Sequence, residues 1–139
     1  MLFAPGNDRR KIDKALELGA SAVMLDLEDA VAAAEKVAAR ATVCESVLAA
    51  PQGGSLVCVR INSLATGLAD ADLDALTEVL PRLALITVPM VEDPADIRHV
   101  AARLDELERA TGVAAGAVGL LAMTETARGV LGAYGIAAA

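Results

Sequence analysis

Residues 83–112 read LALITVPMVEDPADIRHVAARLDELERATG, and they hold one complete structural unit. The opening LALITVPM is an apolar run of strand length, the pattern of a strand buried on both faces. The remainder is a helix with all its terminal signals. Asp93 is a good N-cap, Pro94 fits the first helical position, and Asp96 sits near the positive end of the dipole. Ile97, Val100, Ala101, Leu104 and Leu107 recur on one face, and Gly112 ends the helix.

The same strand-then-helix unit recurs outward in both directions. LFAPG (2–6) is a short strand and turn. NDRRKIDKALELG (7–19) is a helix with a stripe at Ile12, Ala15, Leu16 and Gly19, started by Asn7 or Asp8. SAVMLDLEDA (21–30) is a second strand. The long helix after it, AAAEKVAARATVCESVLAA (32–50), shows a stripe at Val37, Ala41, Cys44 and Leu48 and stops at Pro51 and Gly53–Gly54. SLVCVRIN (55–62) is a third strand, and DADLDALTEVL (70–80) a short helix with Leu73, Leu76 and Leu80 on one side. AVGLLAMTE (117–125) is a fifth strand, with a last helix from about Ala127. No hairpin turn joins any two strands, so the pattern predicts a parallel sheet covered by helices. Two architectures fit it: a doubly wound five-stranded sheet, or part of a (β/α)₈ barrel, whose full length is about 250 residues.

The composition bounds the function. The chain has 139 residues, one domain's worth, and 55% of them are hydrophobic, mostly Ala, Val and Leu. Net charge of −7 disfavours nucleic-acid binding but leaves an anionic small ligand open. No run approaches the ~18 apolar residues of a membrane span. At the N-terminus the charges follow the apolar residues, the reverse of a secretory signal, so a cytoplasmic protein without membrane attachment is expected. Cys44 and Cys58 have no metal or redox spacing and read as reduced, mostly buried thiols.

In a parallel α/β fold, ligands gather at the carboxyl ends of the strands. Those ends here carry Asp26, Glu28 and Asp29, then Arg60 and Asn62, then Pro89, Met90 and Glu92, and finally Thr124, Glu125 and Thr126. The first strand leads into the basic run Arg9, Arg10, Lys11 and Lys14. Some of these have plainer readings: Asp29 and Glu92 as helix caps, the basic run as a solvated helix face, His99 as a surface residue. Arg60 and Glu125 are harder to explain structurally, because a charge at the end of an apolar strand is costly unless paired. Carboxylates and one arginine around a common mouth suit a hard divalent cation, Mg²⁺ or Mn²⁺, and a carboxylate-bearing substrate. Such a cation polarises a keto-acid carbonyl and stabilises an enolate, which aldol-type carbon–carbon cleavage requires. GxGxxG, GxxxxGK[ST] and GxSxG motifs are absent.

The segments LFAPGNDRRKIDKAL, AVMLDLEDAV, VRIN, TVPMVEDPADI and TETARGVL resemble, in order and spacing, the HpcH/HpaI aldolase and citrate lyase β-subunit family, nearest its citrate lyase β-like and malyl-CoA lyase branch. The resemblance implies an incomplete (β/α)₈ TIM barrel: residues 1–139 form a single domain of about five β/α units, the N-terminal part of such a barrel. It implies a Mg²⁺-dependent carbon–carbon lyase acting on 3-hydroxyacyl-CoA thioesters of the malyl-, citramalyl- or citryl-CoA type, and a homo-oligomer, often a trimer. By the same resemblance Glu125 is the metal ligand and Arg60 binds the substrate carboxylate. Glu28 and Asp29 lie beside the metal, and Arg10, Lys11 and Lys14 contact CoA phosphates. Two departures from the family pattern are visible. Met90 stands where the family usually has lysine, and no counterpart of a second metal-ligand Asp in a GxED-like segment comes after Glu125. The alternative expectation is therefore a truncated, non-catalytic protein of this ancestry that binds CoA or assembles through an exposed sheet edge; a third is an independent doubly wound domain.

Overall fold

The computed structural model describes all of residues 1–139. Five strands alternate with five helices: β1 Leu2–Pro5, α1 Arg9–Glu17, β2 Ala22–Asp26, α2 Lys36–Ala49, β3 Leu56–Arg60, α3 Ala69–Ala75, β4 Leu85–Val88, α4 Pro94–Thr111, β5 Gly119–Ala122 and α5 Ala127–Ala137. Short 3₁₀ turns precede α2 and flank α3.

The strand order decides between the two architectures. All four neighbouring pairs are parallel, and the sheet runs β1-β2-β3-β4-β5 without a reversal. A doubly wound sheet must reverse direction at a switch point. Right-handed crossovers that always step the same way instead put every helix on one face, as in a barrel wall.

The burial pattern agrees. The core joins Val23, Leu25, Val57, Val59, Ile86 and Val88 to helix residues such as Ile12, Val43, Leu73, Val100 and Leu104. Truncating a fully buried member such as Leu73 or Ile86 to Ala should cost about 2–5 kcal/mol. The alternate residues point to the opposite, inner face. In register they form one row Phe3, Met24, Cys58, Leu85 and Gly119, and a second row Pro5, Asp26, Arg60, Thr87 and Leu121. The lower row is apolar; the upper row, nearer the carboxyl ends, is charged at its centre.

Most of the helix signals hold. Asp8, not Asn7, caps α1, and Asp93 and Asp96 form a reciprocal capping box on α4 with Pro94 in its first turn. Gly112 closes α4 in the left-handed conformation. Leu73, Leu76 and Leu80 are all buried, although Leu80 lies in the 3₁₀ turn after α3. The α2 stripe is different from the one expected. Ala39, Val43, Ser46 and Val47 face the core, while Val37 and Leu48 are exposed. An almost uniformly apolar helix offers more than one stripe at helical spacing, and docking on the sheet selects among them. Neither Asp29 nor Glu92 caps a helix. Both cysteines are free. No helix is long and apolar enough to cross a membrane.

Candidate active site

Asp26 ends β2 and Arg60 ends β3, and the parallel register sets them side by side on the inner face. The guanidinium grips the carboxylate with two bonds, Nε to Oδ1 at 2.8 Å and Nη2 to Oδ2 at 2.6 Å. The same carboxylate accepts from the backbone N–H groups of Glu28 and Ala30. Burial would push the Asp26 carboxyl up, but Arg60 and those two N–H groups outweigh it and hold it below the ordinary carboxylate range. The Phe3 ring lies 5.7 Å from the guanidinium carbon, a cation–π contact from β1. Phe3 itself is half exposed.

The third guanidinium nitrogen, Nη1, is also engaged, lying 2.8 Å from Glu28 Oε2. This is an ion pair without hydrogen-bond alignment, since Oε2 is a buried oxygen with no hydrogen-bond partner. Burial raises the pKa of Glu28; Arg60 opposes that rise, and the charges of Asp29, Glu125 and Asp26 add to it. Asp29 is exposed and only 4.0 Å from Arg60 Nη1 at its nearest. The Nε/Nη2 side of Arg60, which is expected to meet a substrate carboxylate, is thus taken by Asp26 of this chain. The second N–H of Nη2 and the N–H groups of Nη1 make no aligned hydrogen bond within the chain, although Glu28 faces Nη1.

Glu125 stands three residues past β5 at the same mouth. Its Oε1 accepts the backbone N–H of Met90 at 3.0 Å. Met90 is the one non-glycine residue with positive φ, at 53°. The residues after Glu125 seat the last helix. Thr126 caps α5 by accepting from Gly129 N, and Gly129 lies so close to the Val91 carbonyl that a Cβ there would sit 2.3 Å from its oxygen. At the other end of the sheet Gly6 is equally constrained, its N–H donating to Asp26 O at 2.8 Å with no room for a side chain.

A second polar cluster fixes the loop after β3. Asp72, fully buried, accepts from Arg40 Nε and from both the backbone and side-chain nitrogens of Asn62, each at 2.7 Å. Both polar residues of the VRIN segment are thus held by acids, Arg60 by Asp26 and Asn62 by Asp72. Lys36 Nζ pins the loop after β2 by donating to the carbonyls of Leu27 and Glu28. Sequence reading named Asp26 without pairing it and missed Arg40, Lys36 and Asp72. Only the parity of Asp26, two residues before Glu28 on the same face, hinted at its role.

The basic run is less available than its composition suggests. Arg9, Lys11 and Lys14 pair with Asp13, Asp8 and Glu17 along their own helix, all at the surface. Arg10 is exposed and makes no such pair. His99 bonds Asp70 at the surface, as its outward position implied.

No three His, Cys, Asp or Glu side chains converge into a ready-made metal cage. Magnesium asks less than that, since it keeps several waters and commonly takes one or two carboxylates from the protein. The mouth fits that demand. Four carboxylates share it with a single arginine, Asp26 engages two nitrogens of that arginine, and Glu125 is bonded to the protein through one oxygen only.

A singly wound parallel sheet with an acidic mouth at its carboxyl ends defines the class: part of a TIM-barrel-like α/β protein. The chain belongs to the HpcH/HpaI aldolase/citrate lyase family, whose profile matches residues 1–139. It is 38% identical over 138 residues to the (3S)-malyl-CoA thioesterase of Cereibacter sphaeroides, covering 99% of this chain and 44% of that protein. It is 35% identical over 137 residues to the citrate lyase subunit beta of Leuconostoc mesenteroides subsp. cremoris, covering 99% of this chain and 45% of the other. Among solved structures, the citrate lyase beta subunit of M. tuberculosis, complexed with oxaloacetate and magnesium, superimposes with a TM-score of 0.75 at 33% identity, covering 99% of this chain and 52% of that one. The protein CitE of M. tuberculosis, in complex with magnesium, acetoacetate and coenzyme A, gives a TM-score of 0.74 at 32% identity, covering 99% of this chain and 43% of that one. The chain thus spans about half the length of the relatives it matches.

Proposed function

We propose that this chain carries the metal-side half of a Mg²⁺-dependent carbon–carbon lyase acting on 3-hydroxyacyl-CoA thioesters of the malyl-, citramalyl- or citryl-CoA type. The observation that carries this reading is the grouping of Glu125 and Glu28 around the Arg60–Asp26 pair at the carboxyl ends of the sheet. The magnesium- and keto-acid-bound relatives support it. Glu125 is the ligand to the cation, and Glu28 with Asp29 supplies further negative charge beside it. The cation, when bound, contributes positive charge where a substrate carbonyl oxygen becomes negative during cleavage.

The other residues prepare that mouth. Arg60 keeps Asp26 and Glu28 in place and offers its remaining N–H groups, on Nη1 and Nη2, to a substrate carboxylate. Asp72 and Asn62 hold the loop beside it, and Phe3 shields the guanidinium from below. Arg10, the unpaired member of the basic run, is the best placed of Arg10, Lys11 and Lys14 to meet a CoA phosphate. Assembly as a homo-oligomer, a trimer by family resemblance, belongs to the same proposal and would appear in light scattering.

The test is cleavage of malyl-CoA and citramalyl-CoA by the 139-residue chain with Mg²⁺, with EDTA as control. Acetyl-CoA together with glyoxylate or pyruvate, lost in EDTA, supports the lyase. A folded chain that yields neither product sinks the reading for this polypeptide, and CoA binding then tests the non-catalytic alternative. The similarity to a malyl-CoA thioesterase favours one second reading, thioester hydrolysis. Free CoA and malate from malyl-CoA would identify it.

A further inference from the structure

Met90 has no chemistry of its own to offer a metal or a carboxylate, yet its backbone is the most unusual in the chain. A φ of 53° is uncommon for any residue with a Cβ and costs stability unless the surroundings impose it. Two neighbours impose it here. Pro89 fixes the chain entering the turn, and the N–H of the next residue, Val91, is held by the carbonyl of Met123 across the sheet. Between these anchors the left-handed twist swings the Met90 N–H toward β5, where it donates to Glu125 Oε1 at 3.0 Å. This is the one hydrogen bond that Glu125 makes to the protein, and it links residues 35 apart in the sequence. The other oxygen, Oε2, is left free. The Met90 side chain, 45% exposed, makes no polar contact.

We propose that Met90 is a positioning residue for Glu125: its left-handed backbone, not its side chain, fixes the Glu125 carboxylate for cation binding. The proposal rests on the reading of Glu125 as the metal ligand. An exposed glutamate held by one oxygen loses fewer rotamers when the other oxygen binds a cation, so the strain at Met90 is recovered as metal affinity. The role should therefore follow tolerance of the left-handed conformation and ignore side-chain chemistry.

The experiment is Mg²⁺ titration of the folded 139-residue chain by calorimetry, with the Met90 amide signal followed by ¹⁵N NMR. Met90→Gly and Met90→Asn accept positive φ and should bind Mg²⁺ within about twofold of the parent. Met90→Val keeps the N–H but resists positive φ, and its affinity should fall about tenfold. In the parent, the Met90 amide signal should move on adding Mg²⁺. Loss of affinity in Met90→Gly would overturn the proposal, and that variant is the one safest to fold. Parent-like affinity in a folded Met90→Val would overturn it too. Glu125→Gln separates the two ideas. If it binds Mg²⁺ as the parent does, the ligand assignment itself fails, and positioning fails with it. If it loses Mg²⁺ while Met90→Val does not, only the positioning role is lost.

Discussion

Asp26 and Arg60 face each other across neighbouring parallel strands, joined by two bonds of 2.8 and 2.6 Å on the inner face of the sheet. Each is buried, and each would be costly there alone. The pair is therefore a structural commitment as well as part of the mouth.

Asp26→Asn should cost about 3 kcal/mol at neutral pH, the lower end for breaking a buried pair, because Arg60 keeps Glu28. The pH dependence fixes the sign. The folded pKa of Asp26 is depressed, so its contribution is present above the unfolded value of about 3.9 and is lost as pH falls through the lower folded value. Chemical denaturation should show the gap between parent and variant closing below the ordinary carboxylate range. A gap that persists unchanged in acid would show that the charge of Asp26 is not what stabilises the fold.

Glu28 runs the other way. Its folded pKa is raised, so the folded chain holds this proton longer than the unfolded one does. Stability from this group is greatest below the unfolded pKa and declines as pH rises through the raised folded value. Glu28→Gln should remove that decline and leave stability at neutral pH equal to the parent or slightly above it, even though Arg60 loses an ion pair. A clear loss of thermal stability at neutral pH would show that the ion pair outweighs the desolvation of Glu28.

Two glycines of α5 make a matched pair. Gly129→Ala would place a Cβ 2.3 Å from the Val91 carbonyl oxygen and must push the helix away from the loop after β4, at about 1–3 kcal/mol. Gly132→Ala meets nothing closer than 3.6 Å and should instead stabilise by about 0.5–1 kcal/mol through helix propensity. Melting temperatures of the two variants should move in opposite directions.

Asp72→Ala strips three donors of their acceptor in a fully buried site. A loss of about 3 kcal/mol is expected, with Arg40 left as an unpaired charge. Asp74→Ala, two residues on and at the surface with Arg103, should cost under about 1 kcal/mol. Denaturant midpoints of the two variants measure the contrast, and similar losses would mean that burial does not set the worth of these pairs.

The order and kind of the elements were legible in the sequence because each rests on local physics. A strand of continuous apolar residues such as 85–88 and a helix capped by Asp93 and closed by Gly112 carry their signals within a few residues of one another. The edge on which the polar residues gather was legible too, since it depends on which end of each strand they occupy. The features left open depended on partners far apart in the chain. Periodicity is blind to strand order, so it could not choose between a doubly wound sheet and a barrel wall. Only the pairing of β1 through β5 in sequence did so. Val37 and Val43 are equally apolar, and docking alone turned Val43 inward. Arg60 announced that it needed an anion, but the register of β2 against β3 made that anion Asp26. Glu125 was conspicuous from its place after a strand, whereas the Met90 N–H that holds it comes from a backbone angle no side chain announces. Sequence fixes local preference at short range; the charges are satisfied, and the mouth assembled, by contacts that exist only once the strands lie side by side.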